Sequence, residues 1–148
     1  MNKYIVSRFR PRENLDLNLR FQIPTPLEFS LYVLDEASKV GVENLNPHWQ
    51  SQWGCCPFCT LDFDIIGHLE TFQTDMDFII KAMNWEAILS VGRHENQALS
   101  KDQESERKMR QFFSSLPKNV TWALYKVYQL DFQLFGYGGP EQWYAMGY

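Results

Sequence analysis

The chain has 148 residues, 14 basic and 18 acidic side chains, a formal charge of −4, and 45% hydrophobic and 16% aromatic residues. That size and apolar content suit a single domain able to bury a core without disulfides or metal, and exclude a disordered tail. The acidic balance excludes a chain-wide basic field, so duplex nucleic acid is not the expected partner, and no window reaches the ~20 apolar residues of a membrane span.

In chain order, residues 4–9 (YIVSRF) read as a short strand or a helix end closed by Pro11. Arg8 and Arg10 interrupt any signal-peptide core, so no targeting segment is expected in these residues. The local cluster Lys3, Arg8, Arg10, Arg12 and Arg20 reads as solvated surface, and 12–22 as loop. Thr25-Pro26-Leu27-Glu28 starts a helix: Thr25 can cap, Pro26 fits the first position, and Glu28 favours the positive end. The spacing of Leu27, Leu31 and Leu34 predicts a buried stripe over a helix reaching about Ser38, with Glu28, Asp35 and Glu36 facing water and Gly41 as its end.

The densest stretch is 47–70, PHWQSQWGCCPFCTLDFDIIGHLE, which holds all three cysteines and two of the three histidines. Its run 63–69 (FDIIGHL) is short, branched and apolar, which predicts a strand buried in a parallel sheet, with Gly67 marking a close backbone approach. Asp64, His68 and Glu70 alternate along it and would share a face. A helix starting at Thr71 or Thr74, with Met76, Ile79, Ile80 and Met83 on one face, would complete half of a βαβ unit. Residues 90–108 are polar and without period, which predicts a flexible surface excursion; helical character returns near Asp102 and runs into Phe112-Phe113. A long helix is expected from Asn119 to Phe135, capped by Gly136, followed by an aromatic Gly/Pro tail that wraps the surface.

Cys56-x-x-Cys59 is open to several readings. Structural zinc needs four ligands, with only Cys55, His48 and His68 near enough to help, and no metal site is assigned. A redox pair needs a helix N-terminus where a strand is expected. A disulfide, Cys56 to Cys59 or one of them to Cys55 or another chain, fits an oxidising compartment, and three reduced thiols remain the bland alternative. Asn119-Val120-Thr121 is a glycosylation pattern. His48 beside Trp49 is a candidate acceptor-side base or substrate contact, because imidazole titrates near neutrality and indole offers a stacking face. A hydrogen-bonding role in the fold explains it as well. Glu70 is a further substrate-binding candidate, with buried polar pairing as its alternative.

The order of pieces resembles the Golgi carbohydrate sulfotransferases, the membrane-bound group of chondroitin, dermatan and HNK-1 sulfotransferases. The resemblance lies in Ile5-Val6 to Arg10, LEFSLYVLD, His48-Trp49, Cys56-x-x-Cys59, Phe63-Asp64-x-x-Gly67-x-x-Glu70-Thr71 with Asp75, Phe112-Phe113, and Leu124-Tyr125-x-x-Tyr128-x-x-Asp131-Phe132-x-x-Phe135-Gly136-Tyr137. It implies an α/β, P-loop-kinase-like fold and transfer of a sulfuryl group from 3′-phosphoadenosine 5′-phosphosulfate (PAPS) to a glycan hydroxyl, in the Golgi lumen or at its membrane. The donor-gripping loop and the Arg…Ser segment of that group lie upstream of the part matched. Residues 1–148 therefore read as a single partial domain, the C-terminal half of a sulfotransferase, mostly helical with one buried strand, and inactive alone. A truncated gene model, a degenerate paralogue and a fragment all fit. The rival reading is a non-catalytic lumenal module that binds glycans or a complete homologue.

Overall fold

The computed structural model describes residues 1–14, 22–56, 58, 60–86 and 99–145. Among them the elements are helices: α1 (Asn2–Phe9), α2 (Pro26–Val40), α3 (Gln52–Cys55), α4 (Phe72–Ala82), α5 (Leu99–Ser114), α6 (Lys118–Val127), α7 (Gln129–Leu134) and α8 (Pro140–Ala145). Residues 4–9 thus belong to a helix rather than a strand. Of the expected excursion, 90–98 lies outside the described residues and 99–108 falls in α5.

The organising element is α2. Its start is a full capping box: Glu28 N–H donates to Thr25 Oγ1 at 3.2 Å, and Thr25 N–H donates to Glu28 Oε2 at 2.8 Å, with Pro26 in the first turn. Its end is set by Gly41 at φ 84°, a conformation that a side chain would strain. Helices α1 and α6 pack on it. The core so formed joins Ile5 of α1, Tyr32 and Val33 of α2 and Leu45, with Phe29, Trp49, Leu124, Val127 and Tyr128 against them.

Glu28 corrects the expected orientation of α2. It is 6% exposed rather than facing water, because Arg10 reaches over it with Nε at 2.7 Å from Oε1 and Nη2 at 2.8 Å from Oε2. Arg10 also donates to Gln22 Oε1 and to the Ile23 carbonyl, so one guanidinium gathers α1, the start of α2 and the segment between them. The Arg10 hydrogen bond holds the Glu28 carboxyl below its ordinary 4.5, against the opposing pull of burial. A carboxyl depressed in the fold contributes stability above pH 4.5 and loses it as pH falls through the lowered value. Asp35 and Asp75, also held low by their partners, add to the same acid loss. Thermal melts from pH 7 down to pH 3 are expected to show Glu28→Gln losing less stability with acid than the parent, and parallel profiles would refute the role given to Glu28.

The expected buried strand is not found. Residues 63–69 carry no strand pairing among the described residues, and Phe63, Ile66 and Leu69 are 46%, 47% and 85% exposed. An apolar strand is buried only when neighbouring strands take its backbone bonds and other elements cover its faces, and no strand is present among the described residues to do either. The backbone bonds to a side chain instead: His68 N–H donates to Asp75 Oδ2 at 2.8 Å. At Gly67 no other backbone comes close among the described residues; a side chain does, since a Cβ there would stand 3.3 Å from the same Asp75 oxygen. The single helix expected over 119–135 is broken at Tyr128 (φ −106°, ψ 15°) into α6 and α7, and the left-handed Gly136 (φ 70°) follows as expected. The described part of the tail includes α8, whose Trp143 packs on Phe113, Tyr125 and Phe132.

Candidate functional site

Two polar nodes tie the central stretch to the end of the chain, and the break at Tyr128 makes the first. At the break itself, the Tyr128 hydroxyl donates to the Trp49 carbonyl at 2.6 Å. Just after it, α7 aims Asp131 at the start of α3, where Oδ2 accepts from Gln52 N–H at 2.8 Å and Oδ1 from Trp53 N–H at 2.9 Å. A carboxylate from 78 residues away thus caps α3, where the chain's own Ser51 makes no cap. Burial first, then the Asp131 charge, pushes the Tyr128 phenol up to about 12, so it remains a donor at any physiological pH.

Trp49 sits inside this node as core. Its ring is edge-on to Phe29 and to Tyr32, each at 5.7 Å between centroids, and its Nε1 is buried without a partner among the described residues. His48 is exposed, with its ring 6.5 Å from that of Trp49 and its N–H donating to Asn46 Oδ1. Cys55 and Cys56 are free thiols with sulfurs 3.4 Å apart. The Cys55 contact, then burial, then the Asp131 charge push the Cys56 thiol up, so both factors and neighbours oppose its ionisation. Cys59, the other member of the expected disulfide, lies outside the described residues. Among the described residues no three metal-ligating side chains converge.

The second node joins 67–75 to the residues after α7. His68 Nε2–H donates to the Phe135 carbonyl at 2.7 Å while Asp75 accepts both the His68 N–H and the Thr71 hydroxyl, the latter at 2.7 Å. The Tyr137 hydroxyl donates to Glu70 Oε2 at 3.1 Å, and its ring stands perpendicular to His68 at 5.4 Å. Beside this node a cleft of about 290 Å³ is lined by Phe58, Leu61, Asp62, Phe63, Ile66, Leu134 and Phe135.

The expected site residues are therefore distributed over both nodes. His48 and Trp49 are neighbours, Glu70 is bonded to Tyr137, and no hydrogen bond or ring contact among the described residues joins the two groups. Asn119 is exposed in the first turn of α6, while Thr121 of the same triplet is buried with its hydroxyl 3.5 Å from the Pro117 carbonyl. Tyr128, Asp131, His68 and Tyr137 do more to build the site than the sequence candidates. All but His68 belong to the spaced pattern of the final segment, although the pattern gives no hint of what each one touches.

The sulfotransferase family model matches residues 1–138. Among similar proteins, carbohydrate sulfotransferase 11 of Rattus norvegicus is 26% identical over 114 residues, 77% of this chain and 31% of the relative. Carbohydrate sulfotransferase 12 of Mus musculus is 30% identical over 114 residues, 76% and 26% of the two chains. Carbohydrate sulfotransferase 14 of Danio rerio is 29% identical over 137 residues, 93% and 35%. The chain spans about a third of the length of the curated relatives it matches. No solved structure matches it.

Proposed function

The chain belongs to the sulfotransferase family, and on that premise we propose that residues 1–148 form the acceptor side of a carbohydrate sulfotransferase domain that moves a sulfuryl group from PAPS to a glycan hydroxyl. The observation that supports this is the match over 1–138 together with relatives that are named carbohydrate sulfotransferases and align over as much as 93% of the chain. In such a transfer the phosphate oxygen that leaves sulfur gains negative charge, and preorganised N–H groups and cations must meet it. That cradle is the share of a longer domain. The share of these residues is to hold the sugar and to keep water from the reacting hydroxyl, with Glu70 as the candidate contact.

The exposed apolar run 63–69 fits this division of labour. We assign it to the sheet of the α/β sulfotransferase fold, where strands from the rest of such a domain would take its backbone bonds and cover Phe63, Ile66 and Leu69. The compartment proposed is the Golgi lumen or membrane, where an exposed Asn119 can carry a glycan and Cys56 can pair. The same exposed face favours a second reading, a non-catalytic module that binds a complete homologue through 61–72.

A chimera decides between them. Residues 1–138 replace the matching segment of carbohydrate sulfotransferase 14, and transfer of labelled sulfate from PAPS to a desulfated glycosaminoglycan is measured. Retained transfer is expected; a folded, secreted chimera that binds PAPS and transfers nothing would favour the module reading.

A further inference from the structure

Glu70 and Tyr137 are an unusual pair for a surface. Both are exposed, Tyr137 at 45%, yet they are held in one geometry by contacts beneath them. Gly136 takes its left-handed turn so that Tyr137 N–H can return to the Phe132 carbonyl at 2.9 Å, which fixes where the ring leaves the chain. The ring is then flanked edge-on by His68 at 5.4 Å and Phe132 at 6.3 Å. His68 cannot drift, because its ring N–H is on the Phe135 carbonyl and its backbone N–H is on Asp75. Ordering exposed side chains costs conformational entropy, and one exposed hydrogen bond at 3.1 Å returns little of it.

The chemistry of the pair suits a sugar ring. Of the Glu70 oxygens, Oε2 takes the Tyr137 hydroxyl and Oε1 has no partner among the described residues, so one charged acceptor remains for a hydroxyl donor. Tyr137 adds a partly solvent-facing aromatic surface for the C–H face of a pyranose, and a phenol oxygen able to accept a second hydroxyl. Trp49, the aromatic that sequence favoured for stacking, has its ring engaged by Phe29 and Tyr32.

We propose that the Glu70–Tyr137 pair, braced by His68, is the subsite that binds a hydroxyl-bearing sugar of the acceptor glycan, and that the His48–Trp49 side is not. This rests on the carbohydrate sulfotransferase reading and deepens it. Binding here transfers no proton and breaks no bond: two sugar hydroxyls exchange water for the carboxylate and the phenol oxygen.

Unsulfated chondroitin hexasaccharide is the probe, titrated into the chain and followed by saturation-transfer NMR and calorimetry. Glu70→Gln keeps the shape and an acceptor for Tyr137 but removes the charge, and is expected to weaken binding about tenfold, the loss of one charge-assisted hydrogen bond. Tyr137→Ala is expected to abolish saturation transfer, Tyr137→Phe to weaken it about threefold, and His48→Ala to leave it unchanged. Unchanged melting of Glu70→Gln separates a lost contact from a lost fold. Parent-like binding by Glu70→Gln, a loss confined to His48→Ala, or no saturable binding by the parent chain would each overturn the proposal. If the chimera still transfers sulfate in any of those cases, the family reading stands and the subsite lies elsewhere.

Discussion

Titration of PAPS, or of its desulfated product, into residues 1–148 is expected to release no heat beyond dilution, whereas a full-length carbohydrate sulfotransferase titrated alongside binds it. Part of the physical reason is where five of the described cations and the amides of two helix starts already are. Arg10 is committed to Glu28, Arg8 and Lys39 to Asp35, and Arg107 and Lys108 to Glu104. The chain as a whole carries −4, so a multiply charged nucleotide gains no field on approach. Two helix N-termini, the other ready anion sites, are occupied by the protein's own oxygens. The first N–H groups of α3 are on Asp131, and Thr25 takes an amide at the start of α2. A nucleotide would have to displace a carboxylate at α3 and leave it unpaired, a loss comparable to the gain. Any residual affinity is expected to be weaker than ~1 mM, corresponding to about −4 kcal/mol. Saturable binding in the micromolar range would mean that these residues hold a donor cradle of their own, and the division between donor side and acceptor side would fall.

What sequence could and could not show divides along the range of the interactions. Features set within a few residues were legible: Thr25-Pro26-Leu27-Glu28 became a full capping box, and Gly41 and Gly136 took the positive-φ conformations that glycine allows after a helix. Features set across the chain were not. Helical periodicity placed Glu28 toward water, but Arg10, 18 residues away, pulls it into the core. The run 63–69 has the composition of a buried strand, yet composition reports only what a segment could bury, not whether a neighbour is there to bury it. The pattern over 119–135 is continuous, so nothing local announces that Tyr128 and Asp131 break it to meet Trp49 and α3. Site candidates followed the same rule. His48 and Trp49 stood out because they are adjacent, whereas Glu70 and Tyr137 become a pair only when 67 intervening residues fold.

The largest loss of stability from a single side chain near the candidate site is expected from Asp131→Ala. The carboxylate takes two backbone N–H groups at 2.8 and 2.9 Å, one of them part-buried, and α3 is only four residues long, so it has no internal means of satisfying them. Removing a charged acceptor from two amides, one exposed and one part-buried, is worth about 2 kcal/mol, which for a chain of this size lowers the melting temperature by roughly 6 °C. Asp131→Asn keeps one good acceptor oxygen and is expected to recover about half of that, while Tyr128→Phe, which gives up only its bond to the Trp49 carbonyl, is expected to cost ~1 kcal/mol. Because Asp131 and Tyr128 hold the same segment, their double variant should lose less than the sum of the two. A second readout follows from chemistry rather than stability. The Asp131 charge is one of the influences that keep the Cys56 thiol protonated, so Asp131→Ala should speed its alkylation at neutral pH beyond what global unfolding explains. Equal melting of Asp131→Ala and the parent, with unchanged Cys56 reactivity, would mean that 49–56 is held by its aromatic packing alone.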